Sequence, residues 1–594
     1  LCQAWAQNHG CLLLGPRSFG VQRPHAGLNL SQHPLLARAG RVALAAQSRS
    51  IAAAVMDWAE DVHIGFSTVV SLGDEAVVGL AQILDFLASD PRTDSIVLYL
   101  EEIGPAREFM SALRAAASVK PVIVLKVGHA DDAGDVVVDA ALRRAGAVRV
   151  RYFVQLFSAV KVLGHVRRPR GRHVAMLSNG NGPPHLALDL IGPDGPTLRA
   201  GLSPATRRAL REMLDPDAVT NNPVISYVPL TPQRIQAMLD CLLDDAGVDG
   251  VLVLLAPDAL ADMPAVARQL AQVAPKARKP VISCFMGDAT MRPLRRMLDD
   301  AGTPAFRTPE SAVDAFGVLA SYNYNQQLLL QTQPSEPAGL PPDIAGARAV
   351  IARVRGEGRR ELGVSEVQAL LDAFQVPLSA APSDALRAES ESRPMAVHVL
   401  RDAKFGPVIR FGAGGPEADL ATSGSGMDLP PLNGYLARQL LKRSRLWRRV
   451  VQPRVGAIAA ETLQHVLVQV SELVSELPDV ETIDIDPLFI GETQLRAAGV
   501  RMSLTRTPAP ESPQLHGYPH MAIHPYPTRL VQVRRFEDGT PWVIRPIRPE
   551  DGESLQEFMR GLSERSRYMR FVSMLRELTP RMLARYTQVD YHRE

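Results

Sequence analysis

Two short loops carry the residues best suited to hold an anion. AAQSRS (45–50) leaves an apolar run and enters a helical pattern, placing Gln47, Ser48 and Ser50 at the junction. SNGNGPP (178–184) repeats the arrangement with Asn179, Gly180, Asn181 and Gly182. Small or hydroxyl residues at a helix N-terminus leave backbone N–H groups pointing outward, and the helix dipole there favours negative charge. The same residues also suit a tight βα turn; the recurrence of the pattern is what favours an anion-binding pair.

The elements that must position these loops are legible from periodicity. RVALAA (41–46), FSTVVSLG (66–73), SIVLYLE (95–101) and PVIVLKV (121–127) read as strands. Amphipathic stretches at 50–61, 78–89 and 107–118 alternate with them, which predicts a doubly wound sheet ending near residue 165. A second series begins at HVAMLSNG (173–180) and includes strands at 247–257 and 279–287 with helices at 231–245, 261–274 and 291–302. A Pro- and Gln-rich stretch (331–343) reads as linker. Beyond it, a helix at 365–374, a polar loop at 376–394 and mixed elements at 405–415, 432–445, 461–477 and 480–488 give an α+β pattern. After a second loop (507–528), WVIRPIRPED (542–551) reads as a strand with a helix start, followed by helices at 552–564 and 579–589.

Composition removes several classes. At 594 residues the chain is expected to form roughly four domains. Lys+Arg 65 against Asp+Glu 63 leaves no charge excess for a nucleic-acid partner. No apolar run is long enough to cross a membrane. Cys2, Cys11, Cys241 and Cys284 form no C-x-x-C pair, which fits reduced thiols and a cytoplasmic location. The chain opens at Leu1 rather than methionine, so residues are expected to precede it.

At this point the chain resembles a known family. LLLGPRSFG (12–20), AGLNLS (26–31), ALAAQSRS, SLGDEAVV and LSNGNGPP are similar to ADP-forming acyl-CoA synthetases, relatives of succinyl-CoA synthetase. FGPVIRFGAGG, LPPLNGYLARQLL and IDIDPL resemble their ATP-grasp subunit. HMAIHPYP (520–527) followed by WVIRPIRPEDGESLQEFMRGLSERSRYMRF resembles the junction and opening of a GNAT acyltransferase domain. That order resembles bacterial protein lysine acetyltransferases of the Pat type, present as a fragment. The implied fold is multidomain α/β: two flavodoxin-like (succinyl-CoA synthetase-like) doubly wound units, a shortened ATP-grasp-like α+β domain and the start of a GNAT domain. The corresponding spans are 1–40 for the tail of a CoA-binding Rossmann-like domain, 41–165 and 170–330 for the flavodoxin-like units, and 361–505 for the ATP-grasp-like part. Linkers are expected at 331–360 and 506–540, and the GNAT start at 541–594.

The resemblance implies roles for named residues. Asp484 and Asp486 match a magnesium-binding strand, although a lone DxD also suits a solvated strand end. Ser563, Ser566, Tyr568, Arg570 and Phe571 match the acceptor side of a GNAT site. Asp590 and Glu594 are candidate carboxylates for removing a proton from a lysine ammonium, with a charged surface as the plain alternative.

Departures from the synthetase pattern shape the expected function. The S-H-T-G loop of the phosphohistidine is absent where KVGHADDAGD (126–135) stands, and His129 is followed by Asp131 and Asp132. Arg49 replaces a glycine beside the first loop, and the sequence passes almost directly from LLDAFQVP (370–377) to FGPVIRFG. The expectation is therefore a protein N-acetyltransferase moving acetyl from acetyl-CoA to lysine side chains of metabolic enzymes. Its partners would be protein substrates such as acyl-CoA synthetases, with acyl-CoA as ligand of a degenerate regulatory region and self-association into a homo-oligomer. ATP with magnesium takes a secondary place. The acetyl-CoA loop is expected to follow Glu594, which leaves this fragment inactive. The alternative is an ADP-forming acetate–CoA ligase.

Overall fold

SIVLYL (95–100) is buried at every position, as are FSTVVS (66–71) and GVLVLL (250–255). Runs buried on both faces mark strands of parallel sheets covered by helices on either side. The structure, a computed structural model, describes residues 2–128, 133–164, 168–330, 341–378, 394–415, 424–491, 494–508, 518–527, 530–571, 577–587 and 589–591. It divides into two compact units. The first comprises Leu1–Glu102, Leu113–Val127 and Gly146–Gln327; the second comprises Ile103–Ala112, Gly128–Ala145 and Leu328–Glu594.

The chain opens with α1 (Cys2–Asn8) and an antiparallel hairpin of β1 (Gly20–Arg23) and β2 (Leu28–Ser31). There follow β3 (Ala39–Ala46), α2 (Arg49–Asp61), β4 (Phe66–Ser71), α3 (Leu80–Ser89), β5 (Ser95–Leu100) and α4 (Ala106–Val119). Next come β6 (Val122–Lys126), α5 (Ala133–Arg144), β7 (Val148–Val150) and α6 (Phe153–Leu163); α5 and the N-terminal half of α4 fall in the second unit. The sheet order is β2-β1-β4-β3-β5-β6-β7. Strands β3 to β7 are parallel, and β1 adds antiparallel to β4. Residues 20–31, expected in a preceding domain, are thus part of this sheet. With β4 on one side of β3 and β5 on the other, the crevice between the ends of β3 and β5 is the topological switch point.

The second series is β8 (His173–Ser178), α7 (Gly182–Leu190), β9 (Leu198–Arg199), α8 (Pro204–Met213), β10 (Val224–Ile225) and α9 (Pro232–Asp244). It continues with β11 (Gly250–Leu255), α10 (Met263–Val273), β12 (Val281–Phe285), α11 (Arg292–Asp300), β13 (Ala305–Phe306) and α12 (Pro309–Leu329). The parallel order β10-β8-β11-β12-β13, with β9 beside β8, puts its switch point between β8 and β11. Both sheets share one core: Leu44, Ile123 and Phe157 cluster with Met176, Leu252 and Phe316.

In the second unit, α13 (Ile344–Gly356) and α14 (Val364–Ala373) precede an antiparallel sheet. Helix α13 occupies part of the expected linker. Asp343 caps it by accepting from the Gly346 N–H at 2.9 Å, and Ala347, Ile351 and Val354 form its buried stripe. The sheet contains β14 (Met395–Asp402), β15 (Gly406–Ala413), β16 (Gly426–Asp428), β17 (Val480–Ile490), β18 (Leu495–Ala497) and β19 (Val500–Leu504). Helices α15 (Gly434–Arg443) and α16 (Ala457–Glu476) come between β16 and β17. The order is β16-β15-β14-β17-β18, with β19 also on β17.

The last segment follows the expected order of a strand with a helix start and then helices, with a further strand and a further short helix. A two-stranded hairpin, β20 (Gln532–Arg535) and β21 (Pro541–Ile544), precedes α17 (Gly552–Gly561), α18 (Glu564–Phe571) and α19 (Pro580–Thr587). The strand of 542–551 stops at Ile544, because Pro546 and Pro549 lack the N–H that a ladder needs, and the expected helix start follows as a helical turn at Pro549–Asp551 leading into α17.

Candidate functional site

Both loops lie at the switch points, and in each the leading amide side chain bridges the two strand ends. Gln47, just past β3, accepts through Oε1 from the N–H groups of Glu101 (2.6 Å) and Glu102 (2.9 Å) beyond β5. Its Nε2 donates to the Glu102 carbonyl and to Glu75 Oε1, both at 2.9 Å. Glu75 in turn accepts through Oε2 from the Leu80 N–H at the start of α3. It does so at φ +46°, a left-handed conformation that costs a non-glycine residue of order 1–3 kcal/mol and persists where neighbours fix it. Asn179, just past β8, makes the reciprocal pair with Ala256 beyond β11, Nδ2 to its carbonyl and Oδ1 from its N–H, both 2.9 Å.

With these side chains committed to the scaffold, the anion-binding capacity rests on backbone N–H groups. Neither Ser48 nor Asn181 caps its helix through the side chain. Ser48 and Ser50 share a hydroxyl contact at 3.1 Å, and Asn181 Oδ1 accepts from the Tyr227 hydroxyl at 2.9 Å. A methyl group built on Gly180 or Gly182 would meet nothing within 4 Å, so open space lies over that loop. The Arg49 guanidinium donates to Gln32 Oε1 at 3.3 Å. Pro183 and Pro184 take away two first-turn donors from α7.

In the second unit, Asp484 and Asp486 alternate with the buried Ile483 and Ile485 along β17 and therefore share its open face. Asp486 Oδ1 accepts from the Gly415 N–H at 2.7 Å. Neighbouring Gly414 allows that approach, since a Cβ there would come within 2.7 Å of Asp486 Oδ1. Asp484 Oδ1 accepts from His398 Nδ1 at 2.9 Å. Among the described residues each carboxylate keeps its other oxygen, and magnesium is typically held by one or two carboxylates plus substrate phosphates. The donor set fits that ion. Among the described residues no group of three or more His, Cys, Asp or Glu gathers as a metal cage, so the remaining ligands would come from substrate and water.

His398 was not singled out by the sequence. Its signal is the alternation Met395-Ala396-Val397-His398-Val399, which sets a histidine on the face opposite buried Val397 and Val399. The Cα register across the sheet is Arg410, His398, Asp484, Arg501, from β15 through β14 and β17 to β19.

The remaining expected residues make the following contacts among the described residues. Ser563 caps α18, accepting from the Ser566 N–H at 3.2 Å, and their hydroxyls meet at 2.9 Å. Tyr568 is exposed, Arg570 lies 5.8 Å from the Phe558 ring, and Phe571 is the final residue of α18. Asp590 accepts from the Ser111 hydroxyl, a packing contact. Glu594 and His129 lie outside the described residues.

Comparison with known proteins corrects the functional expectation. The succinyl-CoA ligase-like flavodoxin domain matches residues 39–163, and the ATP-grasp domain matches 384–504. The chain is 25% identical over 584 residues to the ADP-forming acetate–CoA ligase I of Archaeoglobus fulgidus, covering 84% of this chain and 83% of that protein. It is 25% identical to the ADP-forming 4-hydroxybutyrate–CoA ligase of Nitrosopumilus maritimus, over 63% of this chain and 55% of the relative. Among solved structures, the apo form of the dinucleotide-forming acetyl-coenzyme A synthetase 1 of Ca. Korarchaeum cryptofilum aligns with a TM-score of 0.50 at 25% identity, covering 55% of this chain and 74% of that one. The protein thus carries a succinyl-CoA ligase-like flavodoxin domain and an ATP-grasp domain in an α/β fold. These relatives overturn the resemblance to a Pat-type acetyltransferase, the GNAT assignment of 541–594 and the role of acetyl-CoA as acyl donor to lysine. Among the described residues no helix is long and apolar enough to cross a membrane.

Proposed function

We propose that this chain is an ADP-forming acyl-CoA ligase that joins a small carboxylate, with acetate as the first substrate to test, to coenzyme A at the expense of ATP. The observation that carries this reading is the presence in one chain of two uncapped helix N-termini at doubly wound switch points and an antiparallel sheet with two carboxylates on its open face.

The chemistry asks for these parts. A carboxylate is a poor acyl donor until one oxygen carries phosphate as an acyl phosphate, a mixed anhydride, so phosphoryl groups must be held while they are transferred. The N–H groups opening α2 and α7 offer neutral donors plus the positive end of a helix dipole for that purpose. Gln47 and Asn179 keep those loops in register with the neighbouring strand end. On the other sheet, Asp484 and Asp486 would hold magnesium, which when bound neutralises triphosphate charge. The reading also places the protein in the cytoplasm, where ATP and coenzyme A are supplied.

The test is a chromatographic assay of the purified chain with ATP, magnesium, coenzyme A and acetate. Stoichiometric ADP, phosphate and acetyl-CoA are expected. Formation of AMP and pyrophosphate, or no thioester with acetate and a panel of short carboxylates, would overturn the assignment.

A further inference from the structure

At the carboxyl edge of the second parallel sheet, three guanidinium groups gather on one carboxylate. Asp288 stands in the loop after β12, which Gly287 turns at φ +89°. Arg295 donates through Nη1 to the carbonyls of Phe285, at 2.6 Å, and Gly287, and through Nη2 to Asp288 Oδ1. Arg307, just past β13, reaches Asp288 Oδ2 at 3.0 Å, and Arg292, opening α11, has its Nε 4.0 Å from Oδ1. This is the edge at which open α/β sheets bind ligands. It continues from the loop of Asn179, which bonds Ala256, since a Cβ on Gly287 would lie 3.5 Å from Cγ of the next residue, Pro257.

One carboxylate does not need three cations. Arg295 alone satisfies an oxygen of Asp288 and two carbonyls, and at 11% exposure it is the structural member of the group. Arg292 and Arg307 are 61% and 67% exposed, and among the described residues Arg307 meets no acceptor besides Asp288. The hydrogen bond from Arg295 first, then the charges of Arg307, Arg295 and Arg292, hold the Asp288 carboxyl below the usual carboxylate range. It is therefore ionised at neutral pH, and two positive charges are left over on the exposed pair. Lys161, within electrostatic reach of Arg295, is already paired with Asp299 at 2.7 Å. A monocarboxylate would cancel only one of the two surplus charges, whereas a phosphomonoester is close to doubly charged at neutral pH and cancels both. Planar guanidinium forks also match phosphate oxygens in shape.

We propose that Arg292 and Arg307 form a binding site for a phosphate dianion, held between their guanidinium forks over the fixed Asp288–Arg295 pair. The dianion is free phosphate or the terminal phosphate of a nucleotide or of coenzyme A, all of which present the same oxygens to the two forks. The site holds its ligand by charge and hydrogen bonds alone, with no covalent step. It uses none of the residues of the loops at 47–50 and 179–182, and its occupancy needs no turnover. The proposal therefore stands or falls independently of the ligase reading.

The full chain is modified with phenylglyoxal, which attacks accessible guanidinium groups, and the rate at each arginine is mapped by mass spectrometry. Arg208 of α8 is the exposed reference. Inorganic phosphate, ADP, coenzyme A and 3′-dephospho-coenzyme A are compared with sodium chloride at equal ionic strength. At roughly four times its Kd a bound compound should slow modification of Arg292 and Arg307 about fivefold, with Arg208 unchanged, because the unbound fraction falls with occupancy. Protection by inorganic phosphate identifies the free ion, and protection by ADP without it identifies a nucleotide. Protection by coenzyme A but not its dephospho form identifies the 3′-phosphate. Each of these supports the site. No protection by phosphate, ADP or coenzyme A overturns it, as does equal protection by 3′-dephospho-coenzyme A or chloride, or equal slowing at Arg208. In Arg307→Lys, which keeps the charge but loses the fork, protecting Arg292 should take about tenfold more of the same compound. Unchanged protection in that variant would show that the two arginines do not share a ligand.

Discussion

The two switch points solve one geometric problem with different chemistry. Gln47 spans from the end of β3 to two successive N–H groups beyond β5 and draws in the carboxylate of Glu75. Asn179, one methylene shorter, reaches a single residue beyond β11 and closes a neutral reciprocal pair. The first loop keeps the first-turn donors of α2 but stands among Glu75, Glu101 and Glu102. The second has lost two donors to Pro183 and Pro184 but has a tyrosine and an asparagine for neighbours. An anion at the first loop meets more donors and more opposing charge, and at the second fewer of each. The two loops are therefore equivalent in position but not in the ligand charge they tolerate.

Cutting each clasp tests the equivalence most severely. Gln47→Ala orphans two backbone N–H groups and frees Glu75, and thioester synthesis is expected to fall on the order of 100-fold through lost positioning. Asn179→Ala frees one N–H and one carbonyl, and about a tenfold loss is expected. Steady-state kcat/KM for both variants checks this. Equal losses would show that the reach of the amide matters less than its place.

Charge swaps of equal shape give a smaller effect and address the surroundings. Gln47→Glu replaces a donor to Glu75 and to the Glu102 carbonyl with an acceptor, so two contacts become repulsive. Urea unfolding at neutral pH should show a cost of about 1–3 kcal/mol. Asn179→Asp loses one donor beside a neutral carbonyl and should cost about half as much. If both cost the same, the carboxylates around the first loop do not set its character.

The loops were legible in the sequence because the residues that mark them are local. Gly180, Gly182 and the serines sit within a few positions of a strand end, and βα periodicity fixes where that end must be. What the amides do was not legible, because their partners depend on strand order. Glu101 is 54 residues from Gln47, and Ala256 is 77 from Asn179. The recurrence of an amide immediately after the first parallel strand of each half was the available clue. His398 was missed for the same reason, since its significance comes from Asp484, 86 residues away. The tail was misread because Arg-, Pro- and Glu-rich helical sequence resembles the opening of several small domains. Ser563, Ser566 and Asp590 proved to be a helix cap and a packing contact.

Attributing a loss to one switch point requires knowing that the other unit is intact, and the second unit carries its own pH signature. His520 bonds the Val474 carbonyl of α16 through Nε2 at 3.1 Å. Burial first, then the positive charge of Arg401, with Arg107 adding to it, pushes its pKa down to about 4 from an ordinary 6.5. A histidine depressed in the folded state is protonated more readily when unfolded, so its contribution is fully present above pH 6.5 and is lost as pH falls towards 4. Burial acts in the opposite sense on Glu476, which Tyr518 binds beside it, raising that carboxyl. Within that window His520 lowers the unfolding midpoint of the second unit as pH falls while Glu476 opposes it, so His520→Gln should shift the slope towards greater relative stability at low pH. Fluorescence of Trp447, buried in the second unit, separates this transition from one reported by Trp58 in the first. A clasp variant that moves only the Trp58 transition keeps the comparison of the two switch points clean. One that also shifts the His520-dependent slope would show that the clasps act on the whole chain.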